Sequence, residues 1–291
     1  MKREILRVWL SCGAAIVLAL VLGAGGHLEP FHTYLYLFAW PPFLFALHRT
    51  ARARGARDLS PGGLPFLFAA STTVWLLFEA INFRLLNWRY VGLPDPLLIR
   101  WPGYAASFAT VLPGLFWSAR AFLPREAPSS TGRPPGAGAA AMGAAMLALV
   151  LVWPKYFFPL TWGAGFFLAE PLAARWGGRS LIAEWRVGDF RWTRALLGGG
   201  LACGLFWEAC NFGAGAKWIY DVPFVGKLKI FEMPALGFLG FPPFALEAHA
   251  IFEAMRPGWR KLSAPGRAAA AALTAALWLL IFHGIDALTR R

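Results

Sequence analysis

An acid and an amide one helical turn apart, inside an apolar run, are written twice in this chain. The copies are Glu79-Ala80-Ile81-Asn82-Phe83 and Glu208-Ala209-Cys210-Asn211-Phe212, offset by 129 residues. Residues three apart share a helix face, so each pair presents its two polar groups side by side. A carboxyl group in a membrane core costs on the order of 3 kcal/mol, so its repetition needs a reason. Two uses fit the chemistry. A carboxyl group kept in an apolar setting can hold a proton and deliver it to a substrate. Alternatively each acid braces the loop that follows, by accepting from backbone amides or by pairing with a cation such as Arg84 or Lys217. The two uses are compatible.

Both copies continue alike. Trp88-Arg89-Tyr90 and Trp218-Ile219-Tyr220 follow, then Pro94 or Pro223, then a proline-bearing apolar segment around Pro113 or Pro242. Only the second copy adds further chemistry there: Pro242-Pro243-Phe244-Ala245-Leu246-Glu247-Ala248-His249, against Pro113-Gly114-Leu115-Phe116-Trp117-Ser118 in the first. Residues two apart point to different helix faces, so Glu247 and His249 are not expected to grip one ligand. A lone histidine is more often a packing residue than a functional one. The asymmetry makes the second half the expected active one, with Glu247, Glu208 and Asn211 as catalytic candidates. Glu79, Asn82, Trp218, Tyr220, Phe244 and His249 are the candidates for lining the substrate cavity, with Glu208 and Glu247 expected to approach it together.

No metal-ligand cluster, P-loop, nucleophile elbow or dinucleotide glycine motif occurs, so neither a metal nor a cofactor is expected. Cys12, Cys203 and Cys210 all fall in apolar runs and read as small core residues. Gly198-Gly199-Gly200 reads as a site of close helix packing. Glu170 and Asp286 sit near span ends, where acids snorkel or pair.

These residues must be held by helices in a bilayer. The chain is 58% hydrophobic and 15% charged, against the roughly 25% charge of soluble domains. The +13 net charge lies in short loops between apolar runs, which is the pattern of membrane orientation and excludes a nucleic-acid surface. The expected partner is the lipid bilayer, with an apolar small molecule as substrate. Read against the ~20 residues needed to cross a bilayer, nine spans are predicted near 8–26, 31–48, 64–83, 103–122, 138–153, 156–174, 195–212, 234–255 and 268–287. The first, although it follows Lys2, Arg3 and Arg7, is too long for a signal peptide.

The offset carries the first four spans onto the next four, and Pro42 onto Pro171. The expected fold is therefore an all-α polytopic membrane protein of two parallel four-helix repeats plus a C-terminal helix. The first repeat covers 1–122, a cytoplasmic proline-rich linker 123–137, the second repeat 138–256, and a basic loop with the last helix 257–291. Most Lys and Arg fall on one side if the N-terminus is cytoplasmic and the C-terminus external, as in a bacterial-type plasma (inner) membrane. Arg290 and Arg291 fall on the other side. The connections 84–102 and 213–233 are too apolar for ordinary loops and are expected to lie in the interface or re-enter the membrane, each capping its motif.

The second-half pattern of Glu208, Asn211, Trp218-Ile219-Tyr220, Pro223, Phe231-Glu232-Met233-Pro234 and Pro242 to Glu247 resembles the membrane-embedded lycopene cyclases of the heterodimeric type and similar carotenoid hydratases. The likeness covers about two segments of each repeat. It implies acid catalysis on an isoprenoid, with Glu247 nearest in place to the family's acidic pair. The chain departs from the family in carrying one Glu four residues after Pro243, where adjacent acids would stand close behind the proline. Protonating a polyene needs a carboxylic acid in an apolar pocket and aromatic faces around the cation formed. The leading expectation is thus a protein that binds, and modifies by acid catalysis, an apolar lipid or isoprenoid. A proton-coupled transporter using Glu79 and Glu208, and a non-catalytic membrane scaffold, are the alternatives.

Overall fold

A computed structural model describes residues 2–56, 60, 62–123 and 132–291. The chain runs through helices α1 (Lys2–Leu20), α2 (Leu35–Ala53) and α3 (Leu64–Leu85), strand β1 (Trp88–Val91), then α4 (Leu97–Phe108) and α5 (Val111–Phe122). After the linker come α6 (Ala137–Val152), α7 (Pro154–Phe157), α8 (Thr161–Trp176), α9 (Leu181–Trp185) and α10 (Arg191–Gly213). Strands β2 (Lys217–Tyr220), β3 (Lys229–Ile230) and β4 (Met233–Pro234) precede α11 (Phe241–Lys261) and α12 (Ala264–Gly284). Among the described residues the fold is all-α apart from two short strand pairs. Of the proline-rich linker expected over 123–137, residues 124–131 lie outside the described residues.

Five helical stretches among the described residues are long and apolar enough to cross a membrane: Lys2–Gly25, Leu64–Leu85, Arg191–Gly213, Ala235–Lys261 and Ala264–Thr289. This is fewer than the nine expected, and the reasons are local. The run at 103–122 breaks into α4 and α5 at Thr110, which leaves helical geometry (ψ 1°) just ahead of Pro113. Helix α6 stops after 16 residues, before Pro154, and α8 is equally short. Helix α2 reaches 19 residues but carries Pro41 and Pro42 and, near its end, Arg49 and Arg52.

Helix α1 packs on α2, α2 on α5, and α3 on α5; in the second half α6 packs on α8, α8 on α11, and α10 on α11. Across the halves α10 lies against α5 and α2, while α3 lies against α11 and α6. The glycine run lets α10 wedge in. A Cβ on Gly199 would come within 2.9 Å of the Ala119 amide on α5, and one on Gly200 within 2.7 Å of the Phe241 carbonyl on α11. The outward faces of α1 and α12 keep Leu10, Val17, Leu273 and Leu280 exposed, as suits helices in lipid.

Candidate functional site

Helix α3 ends where Leu86 adopts a left-handed conformation (φ 56°), which turns the chain back so that β1 returns beneath the helix end. Asn82, fully buried, fixes that return. Its Oδ1 accepts from the amides of Asn87 (2.9 Å) and Trp88 (3.3 Å), and its Nδ2 donates to the Trp88 carbonyl (2.9 Å). Asn211 at the end of α10 repeats the grip on Trp218, accepting from its amide at 2.9 Å and donating to its carbonyl at 2.8 Å. A carboxamide offers donor and acceptor side by side, matching the N–H and C=O of a strand residue; a carboxylate, which only accepts, does not. This is why an amide, not a second acid, recurs.

The acids hold the side chains of the same strands. Glu79 Oε1 accepts from the indoles of Trp75 (2.9 Å) and Trp88 (3.1 Å) and from the Tyr90 hydroxyl (2.5 Å), while Oε2 accepts from Trp88 at 3.3 Å. Glu208 Oε1 accepts from Trp218 (3.2 Å) and Tyr220 (2.8 Å). Burial, and then the neighbouring carboxylate, push the Tyr90 and Tyr220 phenols well above their ordinary range, so both remain donors. The brace expected of these acids is present, but through indole and phenol groups. Arg84 instead donates to the Leu151 carbonyl, and Lys217 pairs with Glu232 at 2.6 Å.

The acids of the two copies are engaged to different extents. Glu208 Oε2 is buried with no hydrogen-bond partner among the described residues. The third donor of the first copy, Trp75, stands one turn before its acid; at the matching place of the second stands Gly204, whose missing side chain leaves room for the Phe241 ring.

Strands β1 and β2 pair antiparallel with Trp88 opposite Tyr220 and Tyr90 opposite Trp218. Exchanging the two copies leaves this register unchanged, so the pairing has local two-fold symmetry. Along the other edge of β1, the Arg291 amide donates to the Tyr90 carbonyl at 2.8 Å, and Arg290 pairs with Asp95. Asp286 accepts from Arg100 (2.8 Å, twice), Trp101 (2.9 Å) and Tyr104 (3.0 Å), tying the end of α12 to α4. Glu170 accepts from Ser180 and from the amides of Leu181 and Ile182, which anchors the start of α9.

A cavity of about 180 Å³ is lined from both copies: Trp75, Trp88 and Tyr90 from the first, and Trp207, Glu208, Trp218, Tyr220 and Phe244 from the second. Trp162 of α8 and Arg100 of α4 also line it. Of the candidates named from the sequence, Glu208, Trp218, Tyr220 and Phe244 line this cavity. Glu79, Asn82 and Asn211 stand behind the strands and hold them.

Glu247 and His249 are elsewhere, and the expected approach of Glu247 to the cavity of Glu208 does not occur. One turn beyond Phe244, Glu247 Oε1 accepts from the Gly165 amide at 2.8 Å, in space that a Cβ on Gly165 would fill. His249 faces a second cavity nearer the other end of α11 and bonds Trp192 at 2.8 Å. The aromatic wall residues Trp75, Trp162 and Trp207 carried no usable signal among 15 tryptophans; the lone Arg100 in an apolar segment was the one hint of a built wall. Among the described residues no group of His, Cys, Asp and Glu is placed to hold a metal. The chain matches no family model, no curated protein and no solved structure.

Proposed function

We propose that this membrane protein consists of two parallel four-helix repeats and a terminal helix, related by a two-fold axis along the membrane normal. The cavity beside that axis takes the apolar end of a lipid or isoprenoid chain of carotenoid type, and Glu208 is the acid that acts on it. The register of β1 and β2 supports the axis, since two copies of one strand meeting on a two-fold must run antiparallel about a common centre. The reciprocal contacts of α10 with α5 and of α3 with α11 support it as well.

The observation that carries the chemistry is Glu208: it lines an aromatic cavity and keeps one buried oxygen unpartnered, while Glu79 is engaged at both. At about 180 Å³ the cavity is close to the ~150 Å³ void that holds benzene and below the ~300–1,000 Å³ of sites for whole drug-sized ligands. It therefore suits one end group of a long chain. Such a ligand comes from lipid, so apolar transfer gives it little driving force. Selection rests on shape against Trp162, Trp207 and Phe244 and on the single acid. In the proposed step, the Glu208 O–H proton passes to a carbon of a double bond, whose electron pair forms the new C–H bond. A carboxylate and a carbocation remain, and the surrounding ring faces stabilise the cation. The Glu208 carboxylate then takes back a proton, either from a carbon next to the cation, whose C–H electron pair becomes the new double bond, or from a water whose oxygen bonds the cation, and the acid is restored. The transporter reading is weakened by Glu79, whose ties to Trp75, Trp88 and Tyr90 would have to break in every cycle.

The test is to purify the full chain in mild detergent, identify co-purified lipids by mass spectrometry, and compare wild type with Glu208→Gln. A single isoprenoid retained by both, and converted only by wild type, is the expected result. An empty cavity, together with gradient-driven uptake into vesicles, would replace this reading with the transporter.

A further inference from the structure

The acid is not the only polar group in its part of the aromatic cavity. Trp207, next to Glu208 on α10, lines the same space, and its indole Nε1–H is buried with no hydrogen-bond partner among the described residues. The residue is only 5% exposed. Tyr36 of α2 joins them in the lining. Its ring centroid lies 6.2 Å from that of Trp218 and 5.8 Å from that of Trp40, which in turn stands 5.4 Å from Trp207. The Tyr36 hydroxyl has Thr110 and Trp207 as polar neighbours, without reaching hydrogen-bonding geometry with the indole. Thr110 Oγ1 already donates to the Ser107 carbonyl (2.9 Å) and accepts from Trp40 (3.0 Å). Toward Tyr36 it can only accept, which takes up the phenol proton and leaves the phenol oxygen free to accept in its turn.

The other half of the molecule differs at each of these three places. At the 129-residue offset Phe78 stands for Trp207, the engaged Glu79 for Glu208, and Gly165 for Tyr36. Phe78 packs on the rings of Trp162 (5.5 Å) and Phe244 (5.2 Å), and the space beside Gly165 is taken by the Glu247 carboxyl group. The half that keeps a free carboxyl oxygen is thus also the half with an indole N–H and a phenol beside it.

A buried indole N–H without an acceptor is destabilising, and a ligand that supplies one recovers the loss. A hydrocarbon end group cannot do so. A carbonyl or ether oxygen accepts from Trp207 but has nothing to donate to the phenol oxygen; a hydroxyl group does both. Given an isoprenoid end group in this cavity, as proposed above, we infer that it enters carrying a hydroxyl group: the substrate is an isoprenoid alcohol, held by acceptance from Trp207 Nε1–H and donation to Tyr36. Two directional bonds fix the rotation of the end group about its chain, which apolar walls leave free. The hydroxyl group therefore decides which carbon of the neighbouring double bond faces Glu208, whose own proton is kept for that carbon.

The experiment offers the full chain in neutral detergent an equal mixture of three probes: geranylgeraniol, its methyl ether, and the hydrocarbon with hydrogen in place of the hydroxyl group. The protein is re-isolated and the retained probes are compared by mass spectrometry, with the hydrocarbon as internal reference. Wild type is expected to retain the alcohol at least about tenfold over the hydrocarbon, with the ether between. Trp207→Phe, which installs the residue of the first copy, should bring the ether down to the hydrocarbon and cut the lead of the alcohol about tenfold. Tyr36→Phe should instead bring the alcohol down to the ether and leave the ether ahead of the hydrocarbon; it serves alone if Trp207→Phe does not fold. A general loss of packing cannot produce these two different patterns. Equal retention of the three probes by wild type, or a preference unchanged in the variants, overturns the hydroxyl group and leaves the isoprenoid site standing. Retention of no probe at all overturns both.

Discussion

Replacing Asn82 by alanine removes three hydrogen bonds from a site closed to water: those to the Asn87 amide and to the amide and carbonyl of Trp88. A buried backbone group left unpaired costs about 1–3 kcal/mol, and partial relaxation of the strand brings the sum for Asn82→Ala to about 3–4 kcal/mol. The same change at Asn211 frees only the Trp218 amide and carbonyl, and Trp218 is half-buried where Trp88 is buried, so about 2 kcal/mol is expected there. At roughly 2–4 °C per kcal/mol for a chain of this size, Asn82→Ala should lower the detergent melting temperature by about 6–16 °C and Asn211→Ala by about 4–8 °C. Because β1 and β2 pair with each other, the double variant should lose less than the sum of the singles, by more than about 0.5 kcal/mol. Asn82→Asp, which points an acceptor at the Trp88 carbonyl, should be no better than alanine. If Asn82→Ala melts with wild type, or if the two losses add without coupling, the clamp is not what holds the strand pair.

Four further outcomes follow from the same geometry. Glu79→Gln turns an amide N–H₂ toward donors and should cost about 1–3 kcal/mol in detergent melting, whereas Glu208→Gln, with one oxygen still serving Trp218 and Tyr220, should fold normally and lose only conversion of the retained lipid. Asp286→Asn strips the countercharge from buried Arg100 and should cost about 3–5 kcal/mol, read by melting and by loosened proteolytic protection of the C-terminus. Glu247→Gln keeps an acceptor for the Gly165 amide and should leave lipid retention unchanged; loss of the lipid would return Glu247 to the site. Reporter fusions should read cytoplasmic at the 49–54 basic cluster and external near Asp221, and the reverse pattern would defeat the proposed orientation.

Much of the scaffold was legible in the chain itself. Composition and run length specify a helical membrane protein, because apolar length and charge exclusion are properties of single segments. In the repeated Glu-Ala-x-Asn-Phe, three-residue spacing alone puts acid and amide on one helix face, and in each copy both hold the strand that follows. The glycine run announced close packing for an equally local reason. What the acids touch was decided only in three dimensions. An indole or phenol serves a carboxyl group as well as an amide or a cation does, and nothing in the spacing of Trp88 and Tyr90 distinguishes those partners until the turn at Leu86 folds β1 back. The division between Glu208 and Glu247 was equally hidden. Both acids sit in apolar runs on neighbouring helices, but Glu208 on α10 lines the aromatic cavity, whereas on α11 one turn separates Phe244, which lines it too, from Glu247, which the packing of α8 against α11 sets on the Gly165 amide.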